Sequence, residues 1–192
     1  MSEHAAIQPN HHQRSSLRAG TAVALAIVVA VAACAWFLAN RGGTSTTSAS
    51  STTGAHIATQ AGIAATARSL AHPIYWAGAR PGMSYELTAT TSGSVYVRYL
   101  PAGVKAGDPR AKFITVGTYP KPNAYAVLAA ARKIASARVQ TYGTNVIAVS
   151  YPNRPHSVYV AHRGSSSMIE VFAPTSLGAE TIVRAGLIVP VR

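Results

Sequence analysis

The hydrophobic pattern changes character twice along this chain. Between residues 19 and 40, twenty-two positions pass without a formally charged side chain, and Leu25 to Val31 form an apolar centre. At ~1.5 Å of rise per residue a helix of this length covers roughly 33 Å, enough for a hydrocarbon core of ~30 Å, so one transmembrane helix is predicted over 19–40. From 42 to 54 the sequence reads GGTSTTSASSTTG, a run with nothing to bury. It reads as a tether whose r.m.s. reach as flexible chain is roughly 20 Å. Beyond it, alternating and helical patterns continue to the C-terminus.

Residues 85–89 and 94–100 alternate on either side of Thr90-Thr91-Ser92-Gly93 and predict a hairpin. Val95, Val97 and Tyr99 then share one face of the second strand, and Tyr96 and Arg98 the other. A third strand is predicted over 113–118, with Ile114 and Val116 inward. Pro120, Pro122 and Asn123 punctuate the chain before a helix over 124–138, with its apolar stripe at Val127, Leu128, Ala131, Ile134 and Ala135 and Gly143 as its stop. Strands follow over 145–151, 157–161 and 167–172, and Ser176 is placed to cap a last helix reaching 185. Ile63, Ala67 and Leu70 at helical spacing predict a short helix ending near Pro73. Besides Val95, Val97, Ile114 and Val116, the expected inward set holds Leu128 and Ile134 on the helix and Ile147, Val149, Val158, Val160, Ile169 and Val171 on the later strands.

Ser94-Val95-Tyr96-Val97 recurs as Ser157-Val158-Tyr159-Val160, and each copy is followed by another strand, a proline and a helix. This suggests a strand-strand-strand-helix unit used twice. The expected fold class is α+β: an N-terminal transmembrane helix, a linker, then an antiparallel sheet with helices packed on one face. The domains are a disordered cytoplasmic tail over 1–18, the helix over 19–40, a Ser/Thr/Gly-rich linker over 41–55 and an extracytoplasmic domain over 56–192.

Charge sets the orientation. Arg14 and Arg18 precede the apolar span and Arg41 follows it, which predicts a cytoplasmic N-terminus and an exported C-terminal region. A cleaved signal peptide is one rival. A bacterial lipoprotein is another, because Val31-Ala32-Ala33-Cys34 matches a processing box with Cys34 as the lipidated residue. Both rivals also place the domain outside, but the apolar stretch continues through Trp36, Phe37 and Leu38, past the ~7 to 15 residues of a signal core. Cys34 is the only cysteine, so the outer domain has neither a disulfide nor a thiolate metal site and depends on its core. The whole chain carries a formal net charge of +12. Such a balance on an anchored outer domain points to anionic neighbours, namely wall polymer, lipid headgroups or acidic proteins, with nucleic acid not favoured.

The stretch from His72 onward, especially Tyr75-Trp76-Ala77-Gly78, Tyr85-Glu86-Leu87, Val97-Arg98-Tyr99-Leu100-Pro101 and Val116-Gly117-Thr118-Tyr119-Pro120, resembles a group of uncharacterised actinobacterial proteins. Their plan is similar: a short N-terminus, one membrane anchor and a basic outer domain. The resemblance implies a bacterial source and an envelope location, and it carries no activity, cofactor or site residue.

Motifs that carry chemistry are absent from the sequence. It contains no H-E-x-x-H, no G-x-S-x-G, no phosphate-binding glycine loop and no cysteine-histidine metal spacing. Glu170 alternates outward on its strand, and Glu180 lies near a helix start, where the dipole favours a negative charge. His72, His156 and His162 fall at loops or strand ends. The chain therefore reads as a non-enzymatic protein without cofactor or metal, a hydrolase being the remaining enzymatic rival. Its candidate ligand surface is aromatic and basic: Tyr96, Arg98 and Tyr159 on the outer strand face, joined by Lys121, Arg132, Lys133 and Arg138 on or beside the helix. The expected function is binding of anionic envelope material. The alternative is an accessory or sensor subunit that docks onto another envelope protein.

Overall fold

The computed structural model describes residues 52–191. The predicted anchor and the tail before it lie outside these residues, and among the described residues no helix is long and apolar enough to cross a membrane. Strand β1 (Thr52–Ala58) leads into helix α1 (Gln60–Ser69), whose first turn is capped by Thr59 accepting from the Gly62 amide at 3.1 Å. Strands β2 (Tyr75–Trp76), β3 (Met83–Thr90), β4 (Val95–Pro101) and β5 (Thr115–Pro120) follow. Helix α2 (Ala124–Ala130) runs into one 3-10 turn, Ala131–Lys133. Next come β6 (Arg138–Tyr142), β7 (Val146–Ser150), β8 (Ser157–His162) and β9 (Ser167–Phe172), and then α3 (Gly178–Arg184) and β10 (Val189–Pro190).

Eight strands form one sheet in the order β1-β3-β4-β5-β9-β8-β7-β6, while β2 and β10 pair separately. Every pairing is antiparallel. The order divides into two four-stranded meanders joined where β5 pairs with β9. The repeated Ser-Val-Tyr-Val segments open the third strand of each meander. Tyr96 stands opposite Gly117, Gly117 opposite Glu170, and Glu170 opposite Tyr159, so one row crosses the four central strands symmetrically about the seam.

Both faces of the sheet are covered. On one, α1, α3 and the β2–β10 pair bring Ile63, Ile74, Trp76, Ile182 and Val183 onto Leu87, Val97, Val116, Val160 and Ile169. On the other, Leu128 and Ala131 pack on Ile147, Val149, Tyr159, Ala161 and Met168 beside Tyr96 and Tyr119. The expectation of helices on a single face is thus corrected, and the expected inward set, buried except for half-buried Ile114 and Ile134, is divided between two layers. The reason is topological. Chain leaving β5 at Pro120 has to travel the length of the sheet before β6 begins at Arg138, and α2 makes that crossing on the face opposite α1 and α3. Each fully buried Val, Leu or Ile stabilises the fold by ~1.5 to 3 kcal/mol.

Several boundaries differ from those expected. The helix predicted over 124–138 ends at the turn Ala131–Lys133, where Ile134 takes extended angles (φ −100, ψ 114). Arg138 starts a strand because residues 138–142 pair with β7 around Gly143, which sits at φ 56. Alternating β-branched Val139 and Thr141 gain more from this pairing than from a longer helix. Strand β1 begins inside the segment read as linker, and β1 in one meander and β6 in the other make four strands where three were expected. The third predicted strand lies two residues later, leaving buried Phe113 outside it. The N-cap position of α3 is Leu177, without a side-chain bond, and not Ser176.

The two ends of the sheet are distinct. Thr52 enters at the same end as the turns 91–94, 143–145 and 163–166. The far end carries the connections 102–114 and 151–156 and the starts of β3 and β6.

Candidate functional site

Arg98, read as an exposed ligand contact, is 3 % exposed, because the loop between β4 and β5 folds down over its strand face. Its Nη1 donates to Glu86 Oε1 at 2.8 Å, directly across the β3–β4 pair. Nη2 donates to the carbonyls of Asp108 and Arg110 at 2.9 and 3.1 Å, and the Gly107 amide donates to Glu86 Oε2 at 2.7 Å. Phe113 lies beneath the guanidinium, 5.1 Å from its ring centroid. An ion pair taken out of water is stable only when its remaining donors and acceptors are matched, and here the loop backbone does the matching. The pair therefore clamps a loop that holds Lys105, Arg110 and Lys112 in solvent. Asp108 bonds Arg110, and these hydrogen bonds hold its carboxyl well below the usual carboxylate range.

Tyr96 and Tyr159 are also buried, at 7 % and 2 % exposure, so they offer no stacking platform. They belong to a cluster around Glu170, itself buried and not outward-facing as alternation suggested. Tyr119 donates to Glu170 Oε2 at 3.0 Å and Tyr159 to Oε1 at 3.2 Å. Tyr96 meets Tyr119 edge to face at 5.8 Å, and Tyr151 meets Tyr159 in the same way at 6.2 Å. Burial raises the Tyr151 hydroxyl above its ordinary range. The geometry depends on Gly117: a Cβ there would stand 2.7 Å from the Tyr119 hydroxyl, so only glycine lets that ring lie back across the sheet toward Glu170.

The basic residues proposed around the helix do not form one patch. Lys121 is half-buried at the end where Thr52 enters, whereas Arg132, Lys133 and Arg138 are exposed toward the far end. Arg138 lines a shallow cleft with Ser150 and Glu180, and Ser150 donates to Glu180 at 3.2 Å. Three further exposed cations at the far end, Lys105, Arg110 and Lys112, escaped the sequence reading because their loop has no periodicity. The Glu86–Arg98 pair had a legible signal. A hairpin turning at 90–94 sets these opposite charges directly across from each other, a favourable cross-strand pair.

Among the described residues the histidines bond backbone carbonyls or stack on rings. His72 bonds the carbonyls of Pro73 and Gly93 at 3.1 and 2.9 Å, and His156 that of Ala173 at 3.2 Å. His162 stacks on Tyr75 at 5.1 Å, and burial pushes its pKa below the ordinary value. No group of three His, Cys, Asp or Glu able to hold a metal ion occurs among the described residues. What the surface offers a ligand is charge: the ion pairs found among the described residues use only Arg98 and Arg110 of its basic side chains. No protein-family model, curated protein or solved structure matches this chain.

Proposed function

We propose that this chain is a membrane-anchored, non-enzymatic protein whose basic outer domain binds anionic material of the cell envelope. The anchor is the apolar span 19–40, with the N-terminus cytoplasmic and the domain exported. The observation that carries the reading is the fate of the acidic side chains. Glu86 and Asp108 are spent on Arg98 and Arg110, Glu170 is held by two tyrosines and Glu180 by Ser150. Exposed Lys105, Lys112, Arg132 and Lys133 are left to external anions. The test is cosedimentation of the full-length protein, in zwitterionic nanodiscs, with purified wall polymer over stepped ionic strength. Binding that declines steeply with salt is the expected result, since each neutralised anion releases a counterion. No affinity even at low salt would sink the proposal.

The accessory-subunit alternative draws on a different feature. Leu177 is 70 % exposed, and Leu187 and Val189 in the same C-terminal segment are also open to solvent, as a protein partner would require. A docking contact of that kind would survive high salt. We also propose that the two meanders descend from one duplicated four-stranded unit, on the strength of their equivalent Ser-Val-Tyr-Val strands.

A further inference from the structure

We infer that the anionic partner is an extended polymer lying away from the anchoring membrane, and that the bilayer's own headgroups are not the ligand. The inference rests on the binding reading above and adds where the charge sits. Strand register sorts the basic side chains between the two ends of the sheet. At the far end, the clamped loop supplies Lys105, Arg110 and Lys112. The end of the α2 crossing adds Arg132 and Lys133, and β6 starts with Arg138. Arg80 precedes β3 at the same end, and Arg154 lies in the connection from β7 to β8. Among the described residues the entry end holds half as many: Arg68, Lys121, Arg163 and Arg184. One of these is already engaged, since Arg163 stacks 4.4 Å from the Tyr125 ring centroid and donates to Tyr125 and to the Thr144 carbonyl. At the far end Asp108 offsets Arg110, half-buried Arg80 lies 5.5 Å from the Tyr99 ring centroid and Glu180 lies near Arg138, yet this end keeps the excess.

Reach decides which anion this end meets. The longest strand, β3, has eight residues and at ~3.4 Å each extends about 27 Å. The eleven residues 41–51 between the predicted anchor and β1 span at most ~40 Å when fully extended. Laying the far end on the bilayer would require about 27 Å of that length to run back along the sheet, beyond the r.m.s. reach of ~20 Å for flexible chain of this size. In the unforced orientation the entry end faces the headgroups. The far end then points outward, where a chain of repeating phosphate or carboxylate groups can lie across several loops. The Glu86–Arg98 clamp holds one of those loops ready, so little further ordering is needed on binding.

The test compares two equal-charge removals in the full-length protein, reconstituted in nanodiscs. One variant carries Lys105→Gln, Lys112→Gln and Lys133→Gln; the other carries Arg68→Gln, Lys121→Gln and Arg184→Gln. The probe is fluorescently labelled inorganic polyphosphate, titrated against discs of pure phosphatidylcholine and discs of mixed phosphatidylcholine and phosphatidylglycerol. The far-end variant should lose affinity on the order of tenfold at low salt, with its log–log salt slope flatter by about three, and the entry-end variant should change by less than about threefold. Phosphatidylglycerol in the disc should leave polyphosphate binding by the wild-type protein in place. Equal losses in both variants, or a greater loss in the entry-end variant, would overturn the outward orientation. So would suppression of binding by phosphatidylglycerol that the far-end substitutions relieve. A wild-type protein that binds polyphosphate in neither disc would overturn the binding reading itself.

Discussion

Gly117 shows how much one missing side chain can decide. It sits at the β5–β9 seam opposite Glu170, and its bare Cα leaves room for the Tyr119 ring to reach that carboxylate. Gly117→Ala should push the ring away and leave Glu170 short of a donor, lowering stability by ~1 to 3 kcal/mol in urea unfolding. An unchanged midpoint would mean that the tyrosine bond is dispensable. His162 makes a pH-dependent contribution of definite sign. Because burial lowers its folded-state pKa, the unfolded chain binds the proton more readily than the folded one. Its stabilising contribution is therefore complete above about pH 6.5 and is lost as the pH falls below that value. His162→Phe, which keeps the stack on Tyr75 without a titrating group, should flatten the decline in melting temperature from neutral pH toward pH ~5 relative to wild type. A parallel decline in both proteins would exclude this histidine.

At the scale of elements, the loop 102–114 owes its position to a strand pair. Arg98→Met removes the cation from buried Glu86 and frees the carbonyls of Asp108 and Arg110, and should destabilise the protein by ~3 to 5 kcal/mol. Limited proteolysis should then cut within this loop sooner than in wild type. Adding Glu86→Gln to that variant should restore part of the loss, because the stranded charge is gone. If Arg98→Met left stability and cleavage unchanged, the clamp would have no energetic role. The hairpin that carries the pair was legible from alternation and its turn, as were α1, β7, β8 and β9. Strand β6 was not: residues 131–138 are rich in helix formers, and only pairing with β7 makes the segment after them extended. Strand β1 was hidden because its threonines continue the hydroxyl-rich composition of the residues before it.

For the molecule as a whole, the central property is a sheet buried on both faces. Tyr96→Asp and Val97→Asp lie on opposite faces of β4, and each should lower stability by ~3 to 5 kcal/mol, since either places a carboxylate where water does not reach. Thr141→Asp, on the exposed edge strand β6, should change it by less than ~0.5 kcal/mol. A tolerant Tyr96 position would mean that α2 and the loop do not seal the second face. Thr88, which alternation puts on the same face as Tyr96, is buried as well, at 1 % exposure.

Local order in this protein follows from its residues alone. Alternation, turn chemistry and helical spacing set most strands, the central hairpin and the approximate helices, because those signals depend on neighbours within a few positions. Composition likewise established the positive charge and, through a single cysteine outside the domain, its reliance on packing. Only the tertiary structure decided what each strand face meets. A tyrosine, arginine or glutamate on a strand is compatible with water and equally with a polar interior that satisfies it. The choice between them is made by elements distant in sequence: α2 crossing the second face, and a loop with no pattern of its own closing over Arg98. The same long-range register sorts scattered lysines and arginines unequally between the two ends of the sheet, a grouping that no local spacing could encode.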